Sequence, residues 1–180
     1  MAHKFIQPSG GFCLLFAFLL LLIPLPWVLA FSAAAIFHEL CHYIAIRFCT
    51  GSCPGLLLYS FAAHLPLPEM SRGREVLCAL AGPAGGLLLL LFARWLPRLA
   101  LCALVQSVYN LLPIYPLDGG RALQSGLLLF LAPPIAENIC HILEIICKVV
   151  LIASAIYGYI WLKLGIFPLL MVTLLLIRIK

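Results

Sequence analysis

The sequence contains very little charge. Only 9% of its 180 residues are Asp, Glu, Lys or Arg, whereas 65% are apolar, and the mean hydropathy is +1.18. A soluble domain carries roughly 25% charged and about 45–50% apolar residues. A water-soluble fold of this length could not bury so much hydrocarbon, so the composition predicts an integral membrane protein.

Long polar segments are also lacking. The longest stretch without a strong apolar run is residues 47–75, so we expect a single membrane domain over residues 1–180 with no added soluble module. The eleven Lys and Arg are scattered singly and form no basic stripe, which argues against nucleic acid as a partner. No internal repeat is evident, which argues against a transporter built from duplicated halves.

Apolar runs fill most of the chain. About 20 apolar residues cross a bilayer as a helix. By this measure the candidate spans, some of them short enough to be halves of one interrupted passage, lie near residues 11–24, 27–48, 74–93, 98–112, 119–132, 138–161 and 164–179. The predicted fold is therefore an all-α, polytopic transmembrane helical bundle of about six spans. After the second of these segments, Gly and Pro interrupt the pattern, and we predict a short membrane-associated β-hairpin or re-entrant loop there.

Three ionisable side chains lie together in the otherwise apolar run "AAAIFHELCHYIAIRF". His38 and His42 are four residues apart, so on a helix they share one face and both imidazoles can reach one metal ion. Glu39 lies about 100° round the helix, where it could take a proton from a water at that metal. An ionisable group near mid-membrane costs roughly 2.5–3.5 kcal/mol, which a divalent cation would offset. The alternative is a polar patch that lines a water-filled cavity.

A third metal ligand must come from elsewhere, because a catalytic zinc usually has three protein ligands and a water. Asp118 is the only aspartate in the chain, and it lies in "NLLPIYPLDGGRAL", where prolines interrupt any helix. It then stands at the start of the next helix, a position that stabilises a carboxylate. We favour Asp118 as the third ligand over a role as helix N-cap alone. Weaker candidates are His64, His141 and Glu144.

Together these motifs resemble the site-2 protease family of intramembrane zinc metalloproteases. That family couples an HExxH helix with a later N-x-x-P-x-x-x-L-D-G segment, and both patterns are present here at residues 38–42 and 110–119. The resemblance covers about residues 27–132, the expected catalytic core. The compact chain is most similar to the small bacterial branch that includes the sporulation protease acting on a pro-sigma factor.

The resemblance implies a role for each site residue. His38, His42 and Asp118 would be the Zn²⁺ ligands, Glu39 the general base, and Asn110 a donor to the substrate carbonyl or the developing oxyanion. The implied activity is that of a zinc metalloendopeptidase, a hydrolase that cuts a peptide bond in or near a transmembrane segment of a membrane-protein substrate. The residues leave open a non-proteolytic alternative, namely a metal-binding scaffold, a pseudoprotease or an ion carrier.

The resemblance also implies a location and partners. We expect an integral protein of a bacterial cell membrane, in contact with the lipid bilayer, that binds a transmembrane protein substrate. Because His42 lies only five residues before Arg47, we expect the active site toward the cytosolic side.

Three features depart from the family pattern. Cys41 stands where Gly or Ala is usual, and its thiol could ligate or oxidise beside zinc. The element "AGPAGG" at residues 81–86 lacks the Asn that often follows it, although its small residues still permit close helix packing. No PDZ or CBS module is recognisable, so we expect any control to come from a regulatory membrane partner or from the substrate.

Overall fold

The computed structural model describes residues 6–8, 23–51, 56–59, 62–64, 70–160 and 173. Its helices are α1 (Leu25–Thr50), α2 (Arg72–Leu88), α3 (Pro97–Asn110), α4 (Asp118–Leu127) and α5 (Pro133–Ile160), and a short 3-10 helix (Leu89–Phe92) extends α2. Three short strands, β1 (Ile6–Pro8), β2 (Leu56–Tyr59) and β3 (Ala62–His64), form one sheet in the order β1-β2-β3.

Three of the described helices are long and apolar enough to cross a membrane. They are α1, α2 with its 3-10 extension, and α5, with 26, 21 and 28 residues. Helices α3 and α4 have 14 and 10 residues, fewer than the roughly 20 that a bilayer requires. The helical fold with candidate membrane spans is therefore present, whereas a total of about six spans stays a prediction. The predicted spans at 11–24 and 164–179 fall almost entirely outside the described residues.

The two strands β2 and β3 lie between α1 and α2, where Gly and Pro interrupt the apolar pattern. They pair antiparallel, with Leu57 opposite His64. β1 pairs parallel with β2, with Ile6 opposite Leu56. The association of this segment with the membrane stays a prediction.

Helix α1 buries one narrow stripe. Four-residue steps return to nearly the same helix face, and the stripe from mid-helix onward consists of Ala34, His38, His42 and Ile46. Most large apolar side chains on the other faces are exposed at the protein surface, as expected where lipid is the solvent. The helix ends at Gly51, which adopts a left-handed φ of 70° and donates its N–H to the carbonyl of Arg47. Histidines thus occupy half of the buried stripe.

Helices α1, α2 and α3 pack closely because their contact surfaces carry small residues. The residues that are 3% exposed or less in these helices include Ala34, Cys78, Ala79, Ala100 and Ala103. Gly85 lies against Cys41, and Gly86 lies against Ser107, so closely that an added methyl group would overlap the neighbour. Small residues allow helix backbones to approach in a membrane. The close packing brings the backbone of α2 to the histidine stripe of α1.

A tight loop, residues 111–117, folds back over the first turn of α4. The N–H of Leu117 donates to the carbonyl of Ile114 at 2.8 Å, which turns the chain into the helix. A methyl group on Gly119 would lie 2.7 Å from a loop carbonyl oxygen, and one on Gly120 would lie 2.6 Å from another. Only glycine permits this approach, and the loop thereby sets the start of α4 at Asp118.

Candidate metal centre

Two imidazoles and one carboxylate converge on a single point. His38 Nε2 and His42 Nε2 each lie 3.0 Å from Asp118 Oδ2, and the two Nε2 atoms lie 3.1 Å apart. The histidines are 5% and 7% exposed, and the Asp118 side chain is 12% exposed. This is the one group of at least three His, Cys, Asp or Glu side chains in the described parts of the chain that could hold a metal ion. The three residues that the sequence proposed as ligands are therefore brought together.

The orientation of His42 depends on α2. His42 Nδ1 lies 2.7 Å from the backbone carbonyl of Cys78 and donates its hydrogen to it. That bond places the only ring proton of neutral His42 on Nδ1, so Nε2 offers a lone pair to the centre. Outer contacts of this kind fix both the tautomer and the ring plane of a metal-binding histidine.

The three converging atoms have too few protons between them for all of them to form hydrogen bonds with one another. When His42 is neutral with its proton on Nδ1, His42 Nε2 and Asp118 Oδ2 are both acceptors, yet they face each other at 3.0 Å. A proton on His38 Nε2 could serve at most one of its two neighbours well, and His38 Nδ1 is buried without a partner in the described structure. A cation among the three atoms would accept one lone pair from each of them at once, which is the chemistry of a metal site.

The spacing of the three atoms fits zinc. Zinc binds imidazole nitrogen and carboxylate oxygen at about 2.0–2.2 Å in a tetrahedron, which places neighbouring ligand atoms about 3.3 Å apart. The observed separations of 3.0–3.1 Å are a few tenths of an ångström shorter. Two histidines and a carboxylate also leave the fourth position open, as catalytic zinc sites require.

Gly82 of α2 forms the wall beside the imidazoles. A methyl group on Gly82 would lie 2.7 Å from His38 Nε2 and closer still to His42 Nε2. Any other residue would therefore occupy the space of the imidazoles or of the metal. The sequence indicated "AGPAGG" as an element of the family pattern with small residues for helix packing. Its contact with the imidazoles was missed, because that contact depends on how α2 docks against α1.

We expect Gly82→Ala to lower metal affinity at least about 10–100-fold, the range seen when an outer contact of a ligand is lost. The added methyl group must displace one or both imidazoles, because the opposing atoms belong to the ligands themselves. Bound zinc per purified chain, titrated against a competing chelator, measures the effect. Gly73→Ala is the matched control, since its methyl group would meet nothing within 4 Å. Equal zinc affinity in the two variants would contradict the role given to Gly82.

Glu39 and Asn110 are close in sequence to residues of the metal-binding group: Glu39 is next to His38, and Asn110 precedes Asp118 by eight residues. Glu39 follows His38 on α1, is partly buried, and interacts electrostatically with both histidines and with Asp118. Asn110 is the last residue of α3 and is also partly buried. Their roles as general base and carbonyl donor stay predictions.

The remaining candidates lie apart from the centre. Cys41 is not a member of the metal-binding group, and its thiol lies against Gly85. Glu144 forms an ion pair with Lys148 at 2.5 Å on α5, and neither it nor His141 belongs to the group. The side chain of His64 lies outside the described part of the structure. Asp118 is thus the described carboxylate that completes the set.

Comparison with known proteins identifies a solved structure with a similar fold. The sequence matches no protein-family model and no curated protein. The structure is similar to that of the site-2 protease from Methanocaldococcus jannaschii, with a TM-score of 0.61 and 19% identity. The similarity covers 93% of this chain and 85% of that chain. The resemblance proposed from the motifs is thus supported by an independent likeness in three dimensions, and at this identity the likeness establishes the fold alone.

Proposed function

We propose that this chain, which shares the fold of a site-2 protease, is an intramembrane zinc metalloendopeptidase. Its substrate would be a membrane protein, cut at a peptide bond in or near a transmembrane segment. The observation that carries the proposal is the buried convergence of His38 and His42 with Asp118, 80 and 76 residues away along the chain. Motif spacing alone cannot produce that convergence, and an apolar chain has little reason to retain it without a cation.

The residues present support hydrolysis. A zinc ion held by His38, His42 and Asp118 would supply a Lewis acid that polarises the scissile carbonyl and acidifies a water. Glu39 would accept the proton of that water on a carboxylate oxygen and return it to the amide nitrogen that leaves. The side-chain amide of Asn110 would donate an N–H to the carbonyl oxygen as negative charge develops there.

The position of the centre along α1 supports access from one membrane face. His42 lies five residues before Arg47, which is about 7.5 Å along a helix. Arg74, at the start of α2, donates to the carbonyl of Cys49 at 3.1 Å and so brings another arginine to the same end of α1. Because cationic residues mark the cytosolic side of membrane spans, we propose that the centre opens toward the cytosol of a bacterial cell. A separate membrane protein would supply regulation.

A trapping experiment tests the proposed function. Glu39→Gln removes the general base and leaves the three metal-binding side chains in place, so a bound substrate is expected to remain uncut. We expect mass spectrometry of cross-linked partners to find a transmembrane protein on the Glu39→Gln variant, and co-expression with the wild type to yield two fragments of that protein. Uncut protein in the presence of the wild type, or fragments in the presence of Glu39→Gln, would contradict the proposal.

A further inference from the structure

Arg121 is the one cationic residue of α4, and it lies toward the face of α4 that packs against α2. That face is anchored at both ends, by Asp118 at the metal centre and by Ser125, whose hydroxyl donates to Glu75 Oε2 at 2.8 Å. Arg121 follows Asp118 by three residues and precedes Ser125 by four. Residues with this spacing share one side of a helix, so Arg121 lies between the metal centre and the polar end of α2.

The charge of Arg121 is not paired within the described residues. The side chain is partly buried, yet none of the described ion pairs or hydrogen bonds includes it. It interacts electrostatically with Glu39 but forms no ion pair with it. A guanidinium carries five N–H donors, and burying such a charge without a partner is costly. Arg121 thus combines unpaired N–H donors with an electrostatic interaction with the proposed catalytic base.

The charges around the centre favour an anionic ligand. The carboxylates of Asp118 and Glu39 balance one divalent cation, and Arg121 then leaves one positive charge in excess. The carboxylate of Glu75, at the start of α2, is already paired with the guanidinium of Arg72 at 3.0 Å. Arg47 and Arg74 add further positive charge, because their guanidinium groups donate to backbone carbonyls and not to carboxylates. A ligand carboxylate bound to Arg121 would therefore neutralise a charge that no described residue neutralises.

We propose that Arg121 is a specificity-determining residue that binds an acidic side chain of the substrate close to the bond that is cut. The inference rests on the proposed function. The planar guanidinium matches a carboxylate with two parallel hydrogen bonds. Arg121 is three residues beyond Asp118, about 4.5 Å along the helix, and an extended substrate strand advances about 3.3 Å per residue. The acidic residue would thus lie within about three residues of the scissile bond.

The test uses two peptide hydroxamates that differ in one side chain, glutamyl or glutaminyl, next to the hydroxamate. A hydroxamate binds zinc, so both probes place that side chain beside the metal. Their affinities for the zinc-loaded full chain in detergent are measured by calorimetry for the wild type, Arg121→Gln and Arg121→Lys. Arg98→Gln is the matched control, because Arg98 lies 6.0 Å over the ring of Trp27, at the start of α1 and away from the centre.

We expect the wild type and Arg98→Gln to bind the glutamyl probe about tenfold or more tightly than the glutaminyl probe, the effect of one charge-assisted hydrogen bond. Arg121→Gln is expected to lose this preference while it keeps its zinc and its affinity for the glutaminyl probe. Arg121→Lys is expected to retain part of this preference, because lysine keeps the positive charge but lacks the two parallel N–H donors of the guanidinium.

Three results would overturn the assignment. Equal affinities of the two probes for the wild type, or a preference that survives in Arg121→Gln, would exclude it and leave the proposed function intact. If the wild type showed no preference between the two probes and a short-chain phosphatidylglycerol displaced both, Arg121 would be assigned to a lipid headgroup instead. A chain that binds neither zinc nor either probe would overturn the proposed function itself.

Discussion

Asp118→Asn is expected to leave the protein folded and almost free of zinc. The amide has nearly the size of the carboxylate but lacks its negative charge, and it cannot act as the anionic ligand opposite two neutral imidazoles. Loss of an outer-shell contact alone lowers metal affinity about 10–100-fold, so loss of a direct ligand is expected to exceed 100-fold or so. Metal analysis of the purified chain after equilibration with buffered zinc measures this change.

A second carboxylate gives the matched control. Glu137 lies near the start of α5, is exposed, and does not belong to the metal-binding group. Glu137→Gln makes the same change from carboxylate to amide and is expected to retain wild-type zinc. Helix content from circular dichroism is expected to match among the three proteins. If Asp118→Asn bound one zinc with wild-type affinity, the assignment of Asp118 as a ligand would be wrong, and with it the proposed enzyme.

Glu39→Gln is expected to show the opposite pattern, with zinc retained and hydrolysis lost. Removing a general base lowers the rate about 10²–10⁴-fold, and the loss here is expected at the upper end because Glu39 would serve both proton transfers. The zinc content is expected to stay at the wild-type level, since Glu39 is not a member of the metal-binding group. Initial rates of fragment formation from a reconstituted transmembrane substrate, measured beside the zinc content, separate the two effects.

The combination of rate and zinc content makes the test of Glu39 specific. Loss of zinc together with activity would show that Glu39 is a ligand or a structural residue instead of the base. Activity within about tenfold of the wild type would exclude it as the proton acceptor. Glu137→Gln serves again as the control, because it removes an exposed carboxylate of the same kind that does not belong to the metal-binding group.

The prediction of the two histidines of the site rested on helical periodicity. The spacing of His38 and His42 placed both on one face, and α1 does bury both on a single stripe. Helix α1 extends over residues 25–50 where residues 27–48 were expected. The rarity of aspartate singled out Asp118, and the structure places that carboxylate against both histidines.

The contribution of α2 could not be predicted. The carbonyl of Cys78 holds His42, and Gly82 leaves room for both imidazoles. A backbone carbonyl has no signature in the sequence, because every residue has one. A glycine in an apolar helix indicates close packing without saying what approaches it. Only the docking of α2 on α1 shows that the neighbour of Gly82 is the pair of imidazoles.

The sequence by itself determined that the chain is apolar and helical, that two histidines share a helix face, and that a single aspartate follows a proline-rich turn. These properties depend on composition and on contacts within a few residues, where spacing along the chain sets spacing in space. The tertiary structure alone decided that the aspartate meets the histidines and that α2 orients one of them. Those relations join residues 36–80 positions apart, and their distances depend on how whole helices pack.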